Sequence, residues 1–415
     1  MRITPFGIVA TAIYLLIDLY VFWVLRGYLL QAGYRRAGWV QVGYLVLGIG
    51  TLLFFFFVPK MIQSGWWKPV GMTVFALGVA WFLARGVAAL FFLVDDIRRV
   101  LHWGGVEAYR LVVPSATIES GVSRSVFLSW MGVVAGSGLL GSLVYGFGNK
   151  YRYEVRRQPI RSPKLPGAFQ GLRIVQLSDI HAGSFDDPVA VKRGIEKVMA
   201  LSPDLIFFTG DLVNNVASEM EGYETLFAQL KAPLGVYSVL GNHDYGDYVA
   251  WESAETKKAN LDRLKSIHAN MGWKLLLNEH VRIQKGEHQM VLIGVENWSS
   301  RANFKKYGNL SIACEGVAAD EFQILLSHDP SHWEAEVSTA YPQIDLTLSG
   351  HTHGMQFGVE LPGLRWSPVQ YVYRRWAGHY QQGNQHLYIN RGFGFLGYPG
   401  RVGILPEITL IELSV

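Results

Sequence analysis

The sequence is short of two things, cysteine and charge. Cys314 is the only cysteine in 415 residues, which excludes a disulfide-stapled scaffold and a thiolate metal cage. Charged residues make up 17% of the chain, against about 25% in an ordinary soluble domain. Part of the chain is therefore expected in lipid. Lys and Arg outnumber Asp and Glu by only 37 to 33. That excess is too slight for a nucleic-acid binder, and no nucleic-acid partner is expected. Disorder is excluded as the main theme, because half of the residues are hydrophobic and 13% are aromatic, enough to bury a core. Long apolar runs are missing after residue 150.

Before residue 150 they are frequent. Runs at about 8–25, 39–58, 69–94 and 126–147 each approach the roughly 20 residues that cross hydrocarbon. Trp66 and Trp67 suit a membrane interface. The first run is preceded by little positive charge and followed by no small-residue cleavage site, unlike a secretory signal. Residues 1–150 are expected to form a four-helix transmembrane bundle in the cell (inner) membrane. A basic stretch, 151–171, reads as a linker or a first edge strand that rests on anionic headgroups or is plain solvated surface. Residues 172–415 are expected to form a water-soluble domain.

Asp18 and Arg85 stand at membrane depth. They read as a proton or ion path or a buried ion pair between the first and third helices, or else each sits near a helix end or faces the bundle and serves packing; no polar run suggests a transport route. With four spans, Arg2, Lys60, Lys68, Lys150, Arg152, Arg156, Arg157, Arg161 and Lys164 share one side, against Arg26, Arg35, Arg36, Arg98, Arg99, Arg110 and Arg124 on the other. The positive-inside rule leans toward a cytoplasmic soluble domain. The Arg-containing stretch 123–128 (SRSVFL) argues for the opposite face, and the side stays open.

From residue 172 short β-rich runs alternate with helical ones: 172–177, 204–209, 235–240, 290–295, 322–327, 345–349, 386–390 and 407–413, with helices near 188–200 and 218–230. Strands separated by helices indicate an α/β architecture. The strand-rich second half points to two facing sheets flanked by helices. Five polar clusters directly follow β-rich runs: Asp179-x-His181, Gly210-Asp211, Gly241-Asn242-His243-Asp244, His328 and Gly350-His351-x-His353. Open α/β sheets bind ligands beyond the carboxyl ends of their strands. Asp179 and His181, two apart, face one side if the strand continues, and His351 with His353 repeats the spacing. The preceding glycines permit tight turns.

Asp, His and Asn donors without cysteine favour Mn²⁺, Fe or Zn²⁺. Two such ions about 3.5–4 Å apart suit an in-line displacement at phosphorus, and they lower the pKa of a bridging water. A carboxylate bridges two ions, which an imidazole cannot. An amide such as Asn242 supplies oxygen without adding charge.

The ordered series D-x-H, G-D, G-N-H-D, H and G-H-x-H resembles the calcineurin-like metallophosphoesterases, and most of all their membrane-associated phosphodiesterase branch. The tail is similar as well: 387–394 (LYINRGFG), Pro399, Arg401 and 406–413 (PEITLIEL). The resemblance covers about 172–415 and leaves the bundle outside it. It implies a two-sheet β-sandwich flanked by helices and two divalent metal ions. One ion would take Asp179, His181, Asp211 and His353. The other would take Asp211, Asn242, His328 and His351, with Asp211 bridging. His243 would face the leaving group as a general acid or charge stabiliser. Asp244 orients a neighbour or is structural.

Two departures stand out. Many relatives carry Asp three residues after the bridging Asp, to orient the catalytic His, where this chain has Asn214. Many have Gly-Gly after the last ligand, where this chain has Gly354-Met355. Gly392-x-Gly394-x-x-Gly397 fits a dinucleotide fingerprint, but no helix and later acid follow it. It reads instead as a loop near the site, with Arg391 and Arg401 as candidate phosphate contacts or surface charges. The expected function is a membrane-anchored phosphoesterase hydrolysing a phosphodiester, a lipid or lipid-linked one by virtue of the tether. The alternatives are a non-catalytic phosphate or metal sensor signalling through the bundle, a transporter with a regulatory domain, and a hydrolase of soluble nucleotides.

Overall fold

A computed structural model of the chain describes residues 5–31, 37–63, 68–114 and 123–415; Trp66, Trp67, Arg2, Arg35 and Arg36 lie outside them. Two compact units are present, Met1–Tyr145 and Gly146–Val415.

The first unit is helical: α1 (Pro5–Gln31), α2 (Ala37–Gln63), α3 (Lys68–Val112) and α4 (Val126–Gly146). Three described stretches are long and apolar enough to cross a membrane, Thr11–Leu30, Val70–Val112 and Val126–Asn149, and a shorter apolar helix covers Gly38–Leu53. The third helix runs well past the apolar stretch 69–94. Beyond it, ion pairs three residues apart (Asp95–Arg98, Asp96–Arg99, Glu107–Arg110) carry the helix onward, as such spacing does on a solvated helix face. Asp18 and Arg85 form a buried ion pair between α1 and α3. The Tyr14 hydroxyl donates to the Gly48 carbonyl at 3.0 Å, tying α1 to α2. A Cβ on Gly136 of α4 would lie 2.6 Å from the Ala84 carbonyl, so only glycine allows α3 and α4 to pack this closely.

The second unit holds fourteen strands: β1 (Glu154–Arg161), β2 (Arg173–Leu177), β3 (Leu205–Phe208), β4 (Val236–Ser238), β5 (Lys274–Leu275), β6 (Glu279–Lys285), β7 (His288–Gly294), β8 (Gln323–Leu326), β9 (Leu346–Ser349), β10 (Val359–Leu361), β11 (Leu364–Trp366), β12 (Gly378–Gln382), β13 (Gln385–Ile389) and β14 (Glu407–Ser414). Two six-stranded sheets have the orders β1-β14-β2-β3-β4-β5 and β12-β13-β9-β8-β7-β6, and β10–β11 form a separate ribbon. Alternation along each strand builds the layers. Ile174, Leu205 and Phe207 of the first sheet meet Leu292, Ile324, Leu326 and Leu348 of the second in the core between them. Val175, Ile206 and Phe208 point the other way, onto helices α5 (Pro188–Ala200) and, after the short α6 (Glu224–Phe227), α7 (Ala254–Asn270). Val291, Ile293 and Leu325 do the same against Trp333 and Val337 on the opposite side. The result is the helix-flanked two-sheet sandwich that the strand pattern implied.

Two expectations are refined. Of the two readings of 151–171, the edge strand is the one present and the linker is not: the stretch contains β1, at the edge of its sheet, which pairs in parallel with β14 along its whole length, and Tyr153, Ile160 and Phe169 of the stretch are buried. The helix expected at 218–230 is broken into a 3₁₀ turn, Ala217–Met220, and α6. Gly222 between them has φ +84°, a left-handed conformation that ends a helix.

Candidate functional site

Neighbouring strands β2, β3 and β4 are parallel, as are β7, β8, β9 and β13. Parallel strands put their carboxyl ends on one rim, and all five polar clusters follow such ends. Loops from both sheets lock together there. Gln176 Nε2 donates to the Ser349 carbonyl at 2.8 Å, the Asp179 amide to the Gly210 carbonyl at 2.9 Å and the Gly350 amide to the His328 carbonyl at 2.9 Å.

The strands stop short of the polar residues, so these are not held by strand alternation. Asp179, His181, Asp211, His351 and His353 all have φ between 49° and 70°. Left-handed backbone at non-glycine residues costs about 1 kcal/mol or more each and gathers at functional sites. It replaces the extended geometry expected for Asp179-x-His181 and His351-x-His353. The glycines supply close approach. A Cβ on Gly241 would fall 2.2 Å from Asp211 Oδ1, and one on Gly350 would fall 2.3 Å from Asp179 Oδ2.

Two donor groups result, Asp179 with His181 and His353, and Asp211 with His328 and His351. Asp211 Oδ2 lies 3.6 Å from His181 Nε2 and 3.1 Å from His328 Nε2, between the groups. Asn242 Oδ1 joins the second, 2.8 Å from His351 Nδ1 and 3.1 Å from His328 Nε2. His181 Nε2 and His353 Nε2 face each other at 3.0 Å. Ring nitrogens this close are favourable only around a shared cation or proton, so the donor set fits a pair of divalent ions.

Ring tautomers are set from behind. His328 Nδ1–H donates to the Thr209 carbonyl at 2.7 Å, turning Nε2 inward. Tyr373 donates its hydroxyl proton to Asp329 at 3.2 Å and receives His351 Nε2–H at 2.8 Å, which leaves His351 Nδ1 as the inward donor. Tyr373 and Asp329 were not singled out in the sequence; their only signal is that Asp329 follows His328. Electrostatics follow the burial. Burial raises the Asp211 carboxyl, but His328 and His243 outweigh it and hold the group well below its usual range. His328 is opposed by burial yet pulled up to about 10 by the Asp211 charge. His181 is pushed down to about 3, chiefly by burial.

His243 stands beside the donors rather than among them, its ring 5.0 Å from that of His181. Its amide donates to Asp211 Oδ1 at 2.8 Å, and its Nδ1 donates to the Asn214 carbonyl at 2.6 Å. The support missing from the side chain at 214 is thus supplied by backbone. Asp244 accepts from the amides of Gly241, Asp211, Leu212 and Val213 at 2.8–3.2 Å, clamping two loops. Burial first, and the Asp211 charge second, push it up to about 7. Met355 takes φ 52°, the left-handed conformation open to glycine, with its side chain half exposed.

Arg391 and Arg401 are not surface charges. Both are buried. Arg391 pairs with Glu407 and Glu360 at 2.6 Å each. Arg401 donates to the carbonyls of Arg391, Gly392 and Gly394, with Nη2 3.4 Å from His353 Nδ1. These contacts hold the 391–404 loop, while Arg391 Nε is buried without a hydrogen-bond partner among the described residues. That loop also explains the glycine pattern at 392–397. The Phe393 and Gly394 amides donate to the carbonyls of Ser178 and Asp179 at 2.8 and 2.9 Å, bracing the first cluster.

Residues 172–355 match the family described as calcineurin-like phosphoesterase. Residues 1–149 match one described as a probable calcineurin-like phosphoesterase transmembrane domain, so the likeness extends over the bundle as well. An uncharacterized metallophosphoesterase of Bacillus subtilis is 31% identical over 71% of this chain and 98% of its own length. A zebrafish (Danio rerio) transmembrane protein with a metallophosphoesterase domain is 30% identical over 60% of this chain and 55% of its own. A UDP-2,3-diacylglucosamine pyrophosphatase of Chlamydia muridarum is 27% identical over 56% of this chain and 81% of its own.

Proposed function

The chain belongs to the calcineurin-like metallophosphoesterases, and from that membership we propose a phosphodiesterase with a dinuclear metal site, anchored in the cell (inner) membrane by four spans and acting on a lipid or lipid-linked phosphoester. The observation that carries the reading is Asp211 Oδ2 lying between two separate donor groups. Asp179, His181 and His353 would hold one divalent ion, Asn242, His328 and His351 the other, and Asp211 both. When bound, such ions supply Lewis acidity toward a phosphoryl oxygen and an acidified water.

The chain's own residues supply orientation and proton transfer. His243 Nδ1 is committed to the Asn214 carbonyl, which leaves Nε2 to carry a proton toward the leaving group. As water oxygen adds to phosphorus and the far P–O bond breaks, the departing alkoxide takes that proton. The products are an alcohol and a phosphomonoester. Asp244 and the left-handed loops keep the donors in place before substrate arrives, so little reorganisation is needed during reaction. The lipid assignment is supported by the transmembrane domain, which raises the local concentration of bilayer substrates, and by the similar pyrophosphatase, whose named substrate carries acyl chains.

The test is hydrolysis of bis(p-nitrophenyl) phosphate with Mn²⁺ by the full chain, beside Asp211→Asn and His243→Ala. Asp211→Asn is expected to lose turnover along with bound metal. His243→Ala is expected to keep its metal and fall about 10²–10⁴-fold. Equal turnover in all three proteins defeats the reading. A panel of phospholipids and soluble nucleotides then separates lipid from nucleotide substrates.

A further inference from the structure

Six of the twelve exposed large apolar side chains in Gly146–Val415 fall within residues 355–372, a concentration that scattered surface hydrophobes do not show. Three of them, Val359, Leu361 and Leu364, belong to the β10–β11 ribbon. Its cross-strand pairs are Val359 with Trp366 and Leu361 with Leu364 on one face, and Glu360 with Arg365 on the other. The apolar face is open to solvent, with Leu361 61% and Leu364 53% exposed. The polar face is pinned: Glu360 binds Arg391 at 2.6 Å and Arg156 at 2.7 Å. The ribbon is thus a rigid wedge with an apolar blade. Behind the tip stand Trp366 and Tyr371, the indole donating to the hydroxyl at 3.4 Å. Leucine at a tip with tryptophan and tyrosine behind it is the arrangement that seats at a membrane interface.

The root of the ribbon leads to the place where α4 ends. The Gly146 carbonyl, in the last residue of that helix, accepts from the Arg401 amide at 2.9 Å. The next residue, Val402, donates its amide to the Gln356 carbonyl at 2.8 Å and accepts from the Gly358 amide at 2.9 Å, one residue before β10. Gln356 follows His353 by three residues, and the Arg401 side chain reaches His353. Within Gly146–Val415, one short segment therefore joins Gly146 and Asn149, at the end of the apolar stretch Val126–Asn149, to the first donor cluster and the apolar blade.

We propose that the β10–β11 hairpin docks on the lipid bilayer, its apolar face entering the leaflet that receives residues 146–149, the end of an apolar stretch, and setting the metal-bearing rim at the level of the lipid headgroups. Interfacial elements of this kind sink about 5–10 Å into the boundary between headgroups and acyl chains. The docking rests on the membrane-anchored part of the proposed reading and not on hydrolysis. Its consequence for substrate class is a phosphoester of a bilayer lipid, presented without leaving the membrane.

The test uses the full chain reconstituted in phosphatidylcholine–phosphatidylglycerol vesicles. With Cys314→Ser as background, Leu361→Cys and separately Leu364→Cys carry an environment-sensitive fluorophore; Ile312→Cys, also apolar and exposed, is the reference. Shallow doxyl-labelled phosphatidylcholine is expected to remove most of the emission at 361 and 364 and little at 312. Quenching at 361 and 364 no greater than at 312 overturns the proposal. So does a blue shift that depends on protein density but not on doxyl lipid, which would mark a second copy of the chain as the occupant. Failure of the diester assay with quenching intact removes the catalytic reading and leaves the docking standing.

Discussion

His351 shows how a single side chain is made into a donor. Its Nε2–H is committed to Tyr373, whose own proton goes to Asp329, so Nδ1 is presented inward toward Asn242 and His328. A phenol is an uncommon partner for this task, and its removal is informative. Tyr373→Phe keeps the ring packed but frees the imidazole to change tautomer. Partners of this type typically influence metal affinity 10–100-fold. Activity titrated with Mn²⁺ should require about 10–100-fold more metal, with turnover at saturating metal nearly restored. An unchanged titration would show that the phenol does not set the tautomer. The same residue-level reasoning covers Arg391 and Arg401. In sequence they read as free charges; in the fold their charge and donors hold the loop that braces Asp179. A buried arginine resembles an exposed one in sequence, because only its partners distinguish them.

At the scale of elements, the strand-end loops do more than the strands. β2 and β9 end at Leu177 and Ser349, and the donors beyond them are held by left-handed backbone and by contact with the 391–404 loop. Gly394 is the point of contact: a Cβ there would sit 1.9 Å from the Ile180 carbonyl oxygen. Gly394→Ala must push two backbones apart, and a loss of about 3 kcal/mol or more is expected, together with loss of bound metal. Gly397 has φ +71° but nothing within 4 Å of a Cβ, so Gly397→Ala should cost only about 1 kcal/mol. Denaturation of the two variants side by side measures the contrast, and equal costs would refute it. Elements that were hard to read share a physical cause. β5, β10 and β11 have two or three residues each, too few to show a period. α7 has only three buried side chains and so lacks an apolar stripe. β1 is polar and proline-containing, as edge strands often are.

Across the whole molecule, the donors tie together loops from both sheets. Ions bound there act as a clasp on the sandwich, and ligand binding to the folded state alone raises stability by mass action. With Mn²⁺ at about 100 times its dissociation constant the gain is about 2.7 kcal/mol, or roughly 5–10 °C for a unit of this size. Calorimetry of the full chain in detergent, with and without chelator, should show that shift in the transition of the catalytic unit. Asp211→Asn should abolish it. A transition insensitive to chelator in the unsubstituted protein would argue against ions bridging the sheets. The transmembrane domain adds a second level of organisation. β1 follows α4 closely in sequence and pairs to β14 rather than trailing as a linker.

The sequence by itself determined the class of the molecule. Apolar runs long enough for lipid, short β-rich runs and polar clusters at their ends are local patterns, and each is decided by residue type and spacing. The clusters that contain Asp179, His181, Asp211, Asn242, His243, His328, His351 and His353 are visible for that reason; their roles as candidate donors, with His243 beside them, come from the resemblance to the family. Tertiary structure alone decided which atom of each ring faces inward, that backbone at Asn214 supports His243, that Arg391 and Arg401 are interior braces, and that the root of an apolar ribbon shares a segment with the first donor cluster. These depend on contacts between residues up to some 250 positions apart, such as Asn149 Nδ2 with the Arg401 carbonyl. Such contacts arise only when the sheets close on each other, so no local pattern encodes them.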